Sequence, residues 1–224
     1  MTSLIQILEQ IREAGVPGHP EARLLAVSKR QSADAVAALA AQGQHAFGEN
    51  YVQEAIAKRE ALAALDLEWH LIGHLQSNKA GLAARSFDWI QTVDRPKLVT
   101  ELARHREPAQ PPLNVLIQVN IDAEASKHGC PPKQAAELAR QIATEPALRL
   151  RGLMAIPAPH PDMAHRREAF QRMKSLFDAL HRSHPRIDTL SMGMSEDFAL
   201  AIAEGATMVR IGTALFGARP APGE

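Results

Sequence analysis

The chain has 224 residues, with 25 Lys and Arg against 25 Asp and Glu, zero formal net charge and 46% apolar residues. That length accommodates one α/β barrel or two small domains, and the apolar content suffices for a sizeable core. The charge balance leaves no electrostatic footprint for nucleic acid, no apolar run approaches the roughly 18 to 20 residues of a membrane span, and the single cysteine, Cys130, excludes an internal disulfide and fits a reducing cytoplasm.

The N-terminal segment MTSLIQILEQIREAG lacks a basic region followed by a long apolar run, so it does not read as a signal peptide. Leu4, Ile7, Leu8 and Ile11 instead fall on one face of an amphipathic helix. Short apolar or β-branched runs then recur: LLAVSK from Leu24, HAFGEN from His45, EWHLIG from Glu68, DWIQTV from Asp88 and LNVLIQVN from Leu113. LRLRGLMAIP from Leu148, DTLSMGMS from Asp188 and TMVRIGTALFG from Thr207 follow. Between them lie stretches with helical spacing and punctuation, such as Ser32 to about Gly43 and Ser195 to Gly205.

Alternation of this kind predicts βαβ units and a parallel sheet whose strands are buried on both faces. Eight units predict a closed (β/α)8 barrel preceded by an extra helix. A doubly wound open sheet is the alternative, but the first strand runs into Ser28-Lys29-Arg30 rather than a glycine-rich turn. Pro108 to Pro112 reads as a connection, not a boundary, so a single domain over 1–224 is expected, with no room for another after Gly217. The helix around Phe170, Met173, Phe177 and Leu180 is expected to turn those four side chains inward, and it is assigned no function.

In such a barrel the working face is the C-terminal edge of the strands, so polar residues that close an apolar strand are the candidates. The first strand ends in Lys29, the second in Glu49-Asn50, the third in Gly73-His74, and the last carries Arg210 before Gly212-Thr213. An amine rooted in a buried element is partly desolvated, which frees it as a nucleophile able to trap an aldehyde. The same lysine also fits a side chain that merely emerges into solvent. Ser195 reads as an N-cap whose helix offers backbone N–H groups at the mouth, and Gly212 admits an anion beside the Thr213 hydroxyl. Together they predict a phosphate cup after the seventh and eighth strands, although an ordinary cap and an ordinary strand glycine would look alike. Arg210, set among Met208, Val209 and Ile211, is expected to be half of an ion pair or a ligand contact. His70 and His74 lie in a strand and the turn after it and predict no metal site, with His74 a candidate for the mouth. His160, His165, His181 and His184 read as solvated.

AVSK around Lys29, FGENYVQE from Phe47, WHLIGHLQSNK from Trp69, GLMAIP from Gly152, SMGMSEDF from Ser191 and VRIGTALFG from Val209 closely resemble the pyridoxal phosphate homeostasis protein family, from about Leu24 to Arg219. The resemblance implies an alanine-racemase-like barrel, fold type III among pyridoxal 5′-phosphate (PLP) proteins, without the second β domain. It implies that Lys29 holds PLP as an internal aldimine and that Asn50 lies beside it. It implies further that Ser195, Gly212 and Thr213 hold the phosphate with the Met194 backbone, and that Arg210 faces the pyridine nitrogen.

An arginine with a pKa above about 12 does not protonate the pyridine nitrogen, so the ring stays a poor electron sink. A racemase needs an acid/base group on each face, and in the resembling racemases the second is a tyrosine carried by an additional domain of a partner subunit. Here the only tyrosine is Tyr51, at the start of a helix. The expected function is therefore reversible holding of PLP in vitamin B6 homeostasis, with PLP and apo PLP-dependent enzymes as partners, in a cytoplasmic monomer that is not an enzyme. A weak amino-acid racemase is the alternative, and a cofactor-free sugar-phosphate isomerase a third.

Overall fold

The computed structural model describes residues 2–217 apart from 125 and 159; the last two residues of the family resemblance, 218 and 219, lie outside the described residues. Eight parallel strands close into a barrel in strict sequence order. They are β1 (Arg23–Val27), β2 (Ala46–Glu49), β3 (Glu68–Leu71), β4 (Trp89–Val93), β5 (Leu113–Val119), β6 (Leu148–Ala155), β7 (Thr189–Met194) and β8 (Met208–Ile211). Leu24 pairing with Val209 and Leu25 with Arg210 joins the last strand to the first. Every predicted strand is present, because a strand covered by barrel interior on one side and helices on the other is buried on both faces and reads as a short, mainly apolar run. The fold is the expected (β/α)8 barrel, preceded by an N-terminal helix.

The helices are α1 (Leu4–Glu13), α2 (Ala33–Ala40), α3 (Val52–Ala61), α4 (Ala80–Ser86), α5 (Pro96–His105), α6 (Ala135–Thr144), α7 (Met163–Ser183), α8 (Phe198–Ala203) and α9 (Thr213–Phe216). The extra helix α1 starts at a reciprocal capping box between Ser3 and Gln6, buries Leu4, Ile7 and Ile11, and packs on α8. Its Leu8 is only partly buried. α7 buries Phe170, Met173 and Leu180 as expected, with Phe177 partly covered. Pro108 to Pro112 does connect α5 to β5. Inside the barrel, Leu25, Ile72 and Met208 form one apolar cluster and Trp89, Leu116 and Met154 another. Among the described residues no helix is long and apolar enough to cross a membrane.

Two boundaries differ from expectation. β1 stops at Val27, so Lys29 stands in a turn rather than at a strand terminus, while His74 follows β3 as expected. α8 begins at Phe198 with Asp197 in the capping position, so Ser195 is not its N-cap. Ser195, Glu196 and Asp197 make a turn first, because the Asp197 carboxylate accepts a hydrogen bond from the Met194 N–H at 2.7 Å and draws the chain back before the helix starts.

Candidate functional site

A cavity of about 370 Å3 opens at the C-terminal edge of the barrel, within the range typical of small-molecule sites. Lys29, Asn50, Met194, Ser195, Arg210, Gly212 and Thr213 all line it, so the barrel gathers every predicted site residue around one space. Val27, Ile72 and Ile156 supply apolar wall, and Arg166 is a second guanidinium that sequence reasoning did not single out.

Lys29 is half-buried, in the turn Ser28-Lys29-Arg30, and the backbone on either side of it is fixed from below. The Ser28 N–H donates to Gly48 O at 3.0 Å, and Ser28 O accepts from Lys58 Nζ at 2.7 Å. Arg30 sits at φ 61°, where a side chain is strained, and its N–H donates to Glu54 Oε1 at 2.5 Å. Lys58 Nζ also donates to Glu49 Oε1 and Glu54 Oε1, both at 2.7 Å, which uses all three of its protons. The Ser28 hydroxyl donates to the same Glu49 oxygen at 2.5 Å. Glu49 is fully buried, and burial holds its carboxyl above the usual carboxylate range even though Lys58 and Ser28 pull the other way. Sequence reasoning did not find this buried network, since only Glu54 and Lys58, at i,i+4 spacing, are near one another in the chain.

On the opposite wall, Gly212 owes its identity to close approach: a Cβ there would sit 3.1 Å from Val27 O and 3.2 Å from Val27 Cβ. α9 then opens at Thr213 on the cavity wall, with the Leu215 and Phe216 N–H groups donating to Gly212 O at 2.9 and 3.0 Å and those of Thr213 and Ala214 ahead of them. Glu196 and Asp197 place two carboxylates on the same wall, which alone would disfavour an anion. Arg166, on α7, stands 3.7 Å from Glu196 Oε2 and 3.9 Å from Asp197 Oδ2 and offsets them.

Arg210 is buried, and among the described residues no carboxylate forms an ion pair with it. It donates to Ser191 O at 2.9 Å, Ser191 Oγ at 2.8 Å and Ala155 O at 2.8 Å, all neutral oxygens. Burial without a carboxylate in contact pulls its pKa down to about 10, still a cation at neutral pH. From it a polar chain crosses the barrel interior: Ser191 Oγ donates to Gln91 Oε1 at 2.7 Å, and Gln91 Nε2 donates to His70 Nδ1 at 2.9 Å. That leaves His70 Nε2–H to donate to Glu68 Oε1 at 2.8 Å, and Arg23 meets the same oxygen at 2.7 Å. His70 is thus a structural histidine, held neutral by burial.

The arrangement provides an amine on a fixed turn, a rigid guanidinium, apolar walls, and a glycine-threonine helix start, which together fit a flat, phosphorylated aldehyde. Tyr51, which is 51% exposed, occupies the position before α3 and does not line the cavity. His74 does not line it either and lies on the rim beside Asp94 and His128.

The family model for the alanine racemase N-terminal domain matches residues 3–220. The pyridoxal phosphate homeostasis protein of Pasteurella multocida is 51% identical over 224 residues, covering 97% of this chain and 96% of its own. That of Escherichia coli K12 is 52% identical over 202 residues, covering 89% of this chain and 86% of its own. Among solved structures, PipY of Synechococcus elongatus with PLP bound superposes with a TM-score of 0.81 at 39% identity, over 95% of this chain and all of that one. Alanine racemase from Corynebacterium glutamicum, at 21% identity and a TM-score of 0.69, shares the fold over all of this chain and 64% of its own.

Proposed function

The chain belongs to the pyridoxal phosphate homeostasis protein family, built on the alanine racemase N-terminal domain, and from that premise we propose that it binds PLP in the barrel-mouth cavity and holds it covalently on Lys29. The observation that carries the reading is that Lys29 and all six other residues implied by the resemblance line one cavity. The Lys29 amine condenses with the cofactor aldehyde to a Schiff base and releases water. Ser195, Gly212 and Thr213 hold the phosphate, Asn50 lies beside the ring, and Arg210 donates to the pyridine nitrogen. The Met194 N–H joins the phosphate site only by leaving Asp197, so Ser195 is the stronger contact.

Holding rather than turnover is the role this site supports. Arg210 remains a cation and is locked onto Ser191 and Ala155, so it orients the ring without giving it a proton. No tyrosine reaches the cavity from this chain to serve as a second acid/base group. The protein, as a cytoplasmic single-domain monomer, keeps the free aldehyde low and releases the cofactor to apo-enzymes that need it. The competing reading is a weak racemase in which Lys29 acts alone, favoured by its position in the same cavity.

The test is borohydride reduction of the cofactor-loaded protein, followed by peptide mass spectrometry, beside Lys29→Ala. A reduced adduct on Lys29 in wild type, with no visible-band chromophore in the variant, supports the covalent site; an adduct elsewhere overturns it. Solvent deuterium incorporation at Cα of alanine and serine then separates holding from racemisation. Exchange no faster than with free cofactor fits holding, and exchange well above both free cofactor and Lys29→Ala makes the protein an enzyme.

A further inference from the structure

On the far side of the mouth from β7 and β8, three side chains from adjacent strand ends meet. His74 follows β3, Asp94 follows β4 and His128 stands in the segment between β5 and α6, and one ligand atom of each lies within 4.8 Å of the other two. The two imidazoles are stacked, with centroids 3.6 Å apart and planes 14° from parallel. The cofactor cavity does not include them.

The backbone that presents each of them is anchored. Gly73 O accepts from Thr92 Oγ1 at 2.9 Å, and a Cβ at Gly73 would fall 2.1 Å from Asn50 O, so the chain entering His74 is pressed against the end of β2. Gln118 Nε2 donates to His128 O at 3.2 Å. The next two residues lie flat on β5: the Cys130 N–H donates to Gln118 O and Cys130 O accepts from the Asn120 N–H, both at 2.9 Å. Gly129 adopts φ 120°, and a Cβ there would fall 2.7 Å from Asn120 N. Asp94 is mostly buried, and its Oδ1 accepts from Arg95 NH1 at 2.6 Å. Arg95 is itself tied to Leu75 O at 2.8 Å and Ser77 Oγ at 3.2 Å.

We propose that His74, Asp94 and His128 bind a divalent transition-metal ion, with Zn2+ the best match, and leave a fourth coordination position open. Two imidazoles and one carboxylate are an established ligand set for zinc with an open position, and imidazole selects against magnesium and calcium. Bonds of about 2.0 to 2.2 Å set tetrahedral ligand atoms about 3.4 Å apart, so a group already within 4.8 Å closes by small rotations. Both histidines are exposed, and χ2 of histidine is broad, so the rings turn out of the stack and converge their lone pairs at little cost. Arg95 opposes a cation by its charge, but it donates to Oδ1 of Asp94, the outer-shell arrangement seen around ligating carboxylates.

The experiment is titration of the chelator-stripped full chain with Zn2+ against a chromophoric competitor, and with Co2+ for its visible d–d bands. One ion per chain and the intense bands of tetrahedral cobalt are expected. His74→Ala and His128→Ala should each weaken Zn2+ more than about 10-fold, the loss seen for disturbing even an outer-shell partner, and should abolish the cobalt bands. Both side chains are exposed, so these variants fold even if Asp94→Asn does not. His160→Ala/His165→Ala removes the other close histidine pair, with centroids 4.3 Å apart, and should leave binding unchanged. Absence of a stoichiometric ion, or binding indifferent to His74→Ala and His128→Ala, overturns the site.

Discussion

Replacing Lys58 by methionine keeps the volume of the side chain and deletes its charge, which isolates the network under the Lys29 turn. Wild-type Lys58 neutralises Glu49, whose side chain is 0% exposed, and its ammonium also holds Ser28 O and Glu54. Removing one partner of such a buried pair costs about 3 to 5 kcal/mol, because the remaining charge is stranded. Glu49 has an escape: its carboxyl is already raised by burial, and Lys58→Met removes two influences that lower it, so it protonates. A raised carboxyl stabilises the fold below the unfolded value of about 4.5 and loses that contribution as pH rises through its folded value. The deficit of Lys58→Met is therefore greatest at alkaline pH and shrinks toward pH 5. For a chain of this size each kcal/mol moves the melting temperature by about 2 to 4 °C, so a drop of about 6 to 20 °C is expected at pH 8. Thermal melts of wild type, Lys58→Met and Lys58→Met/Glu49→Gln at pH 5 and pH 8 measure it. The double variant, with no stranded charge, should recover more than half the loss at pH 8. A drop under about 2 °C, or one equal at both pH values, refutes the reasoning.

Three further outcomes follow from the same geometry. Gly73→Ala puts a Cβ 2.1 Å from Asn50 O, so it should displace Asn50 and weaken PLP retention in equilibrium dialysis as well as lower the melting temperature. His70, neutral by burial, must stay uncharged in the fold while the unfolded chain protonates below about 6.5, so stability falls as pH drops through that value, by up to about 1.4 kcal/mol per unit. His70→Gln, which can still accept from Gln91 and donate to Glu68, should flatten that part of the pH–stability curve in urea melts. Cys130, 2% exposed with its thiol near 11, should resist iodoacetamide at pH 7 in the native protein and react fully once denatured, as counted by intact mass.

The eight-strand barrel was legible in the linear sequence because each strand carries a short, largely buried run and is followed by helical spacing, a pattern that local chemistry writes directly. The residues that close those strands were legible for the same reason: Lys29, Asn50, Arg210, Gly212 and Thr213 interrupt apolar runs, and the barrel rule sends strand ends to one face. Where the sequence reading erred, a nearby alternative competed. Ser195 and Asp197 are both cap residues, and only the hydrogen bond from Met194 to Asp197 selects the second. Partners were beyond reach. Arg210 is held by carbonyl and hydroxyl oxygens from β6 and β7, 55 and 19 residues away, and Lys58 looks like a surface lysine until closure of the barrel buries it on Glu49. His74, Asp94 and His128 meet only because β3, β4 and β5 lie side by side. Burial pattern and chain-local chemistry are properties of the sequence, whereas the pairing of polar groups far apart in the chain is decided by which strands become neighbours, and that is set only when the sheet closes.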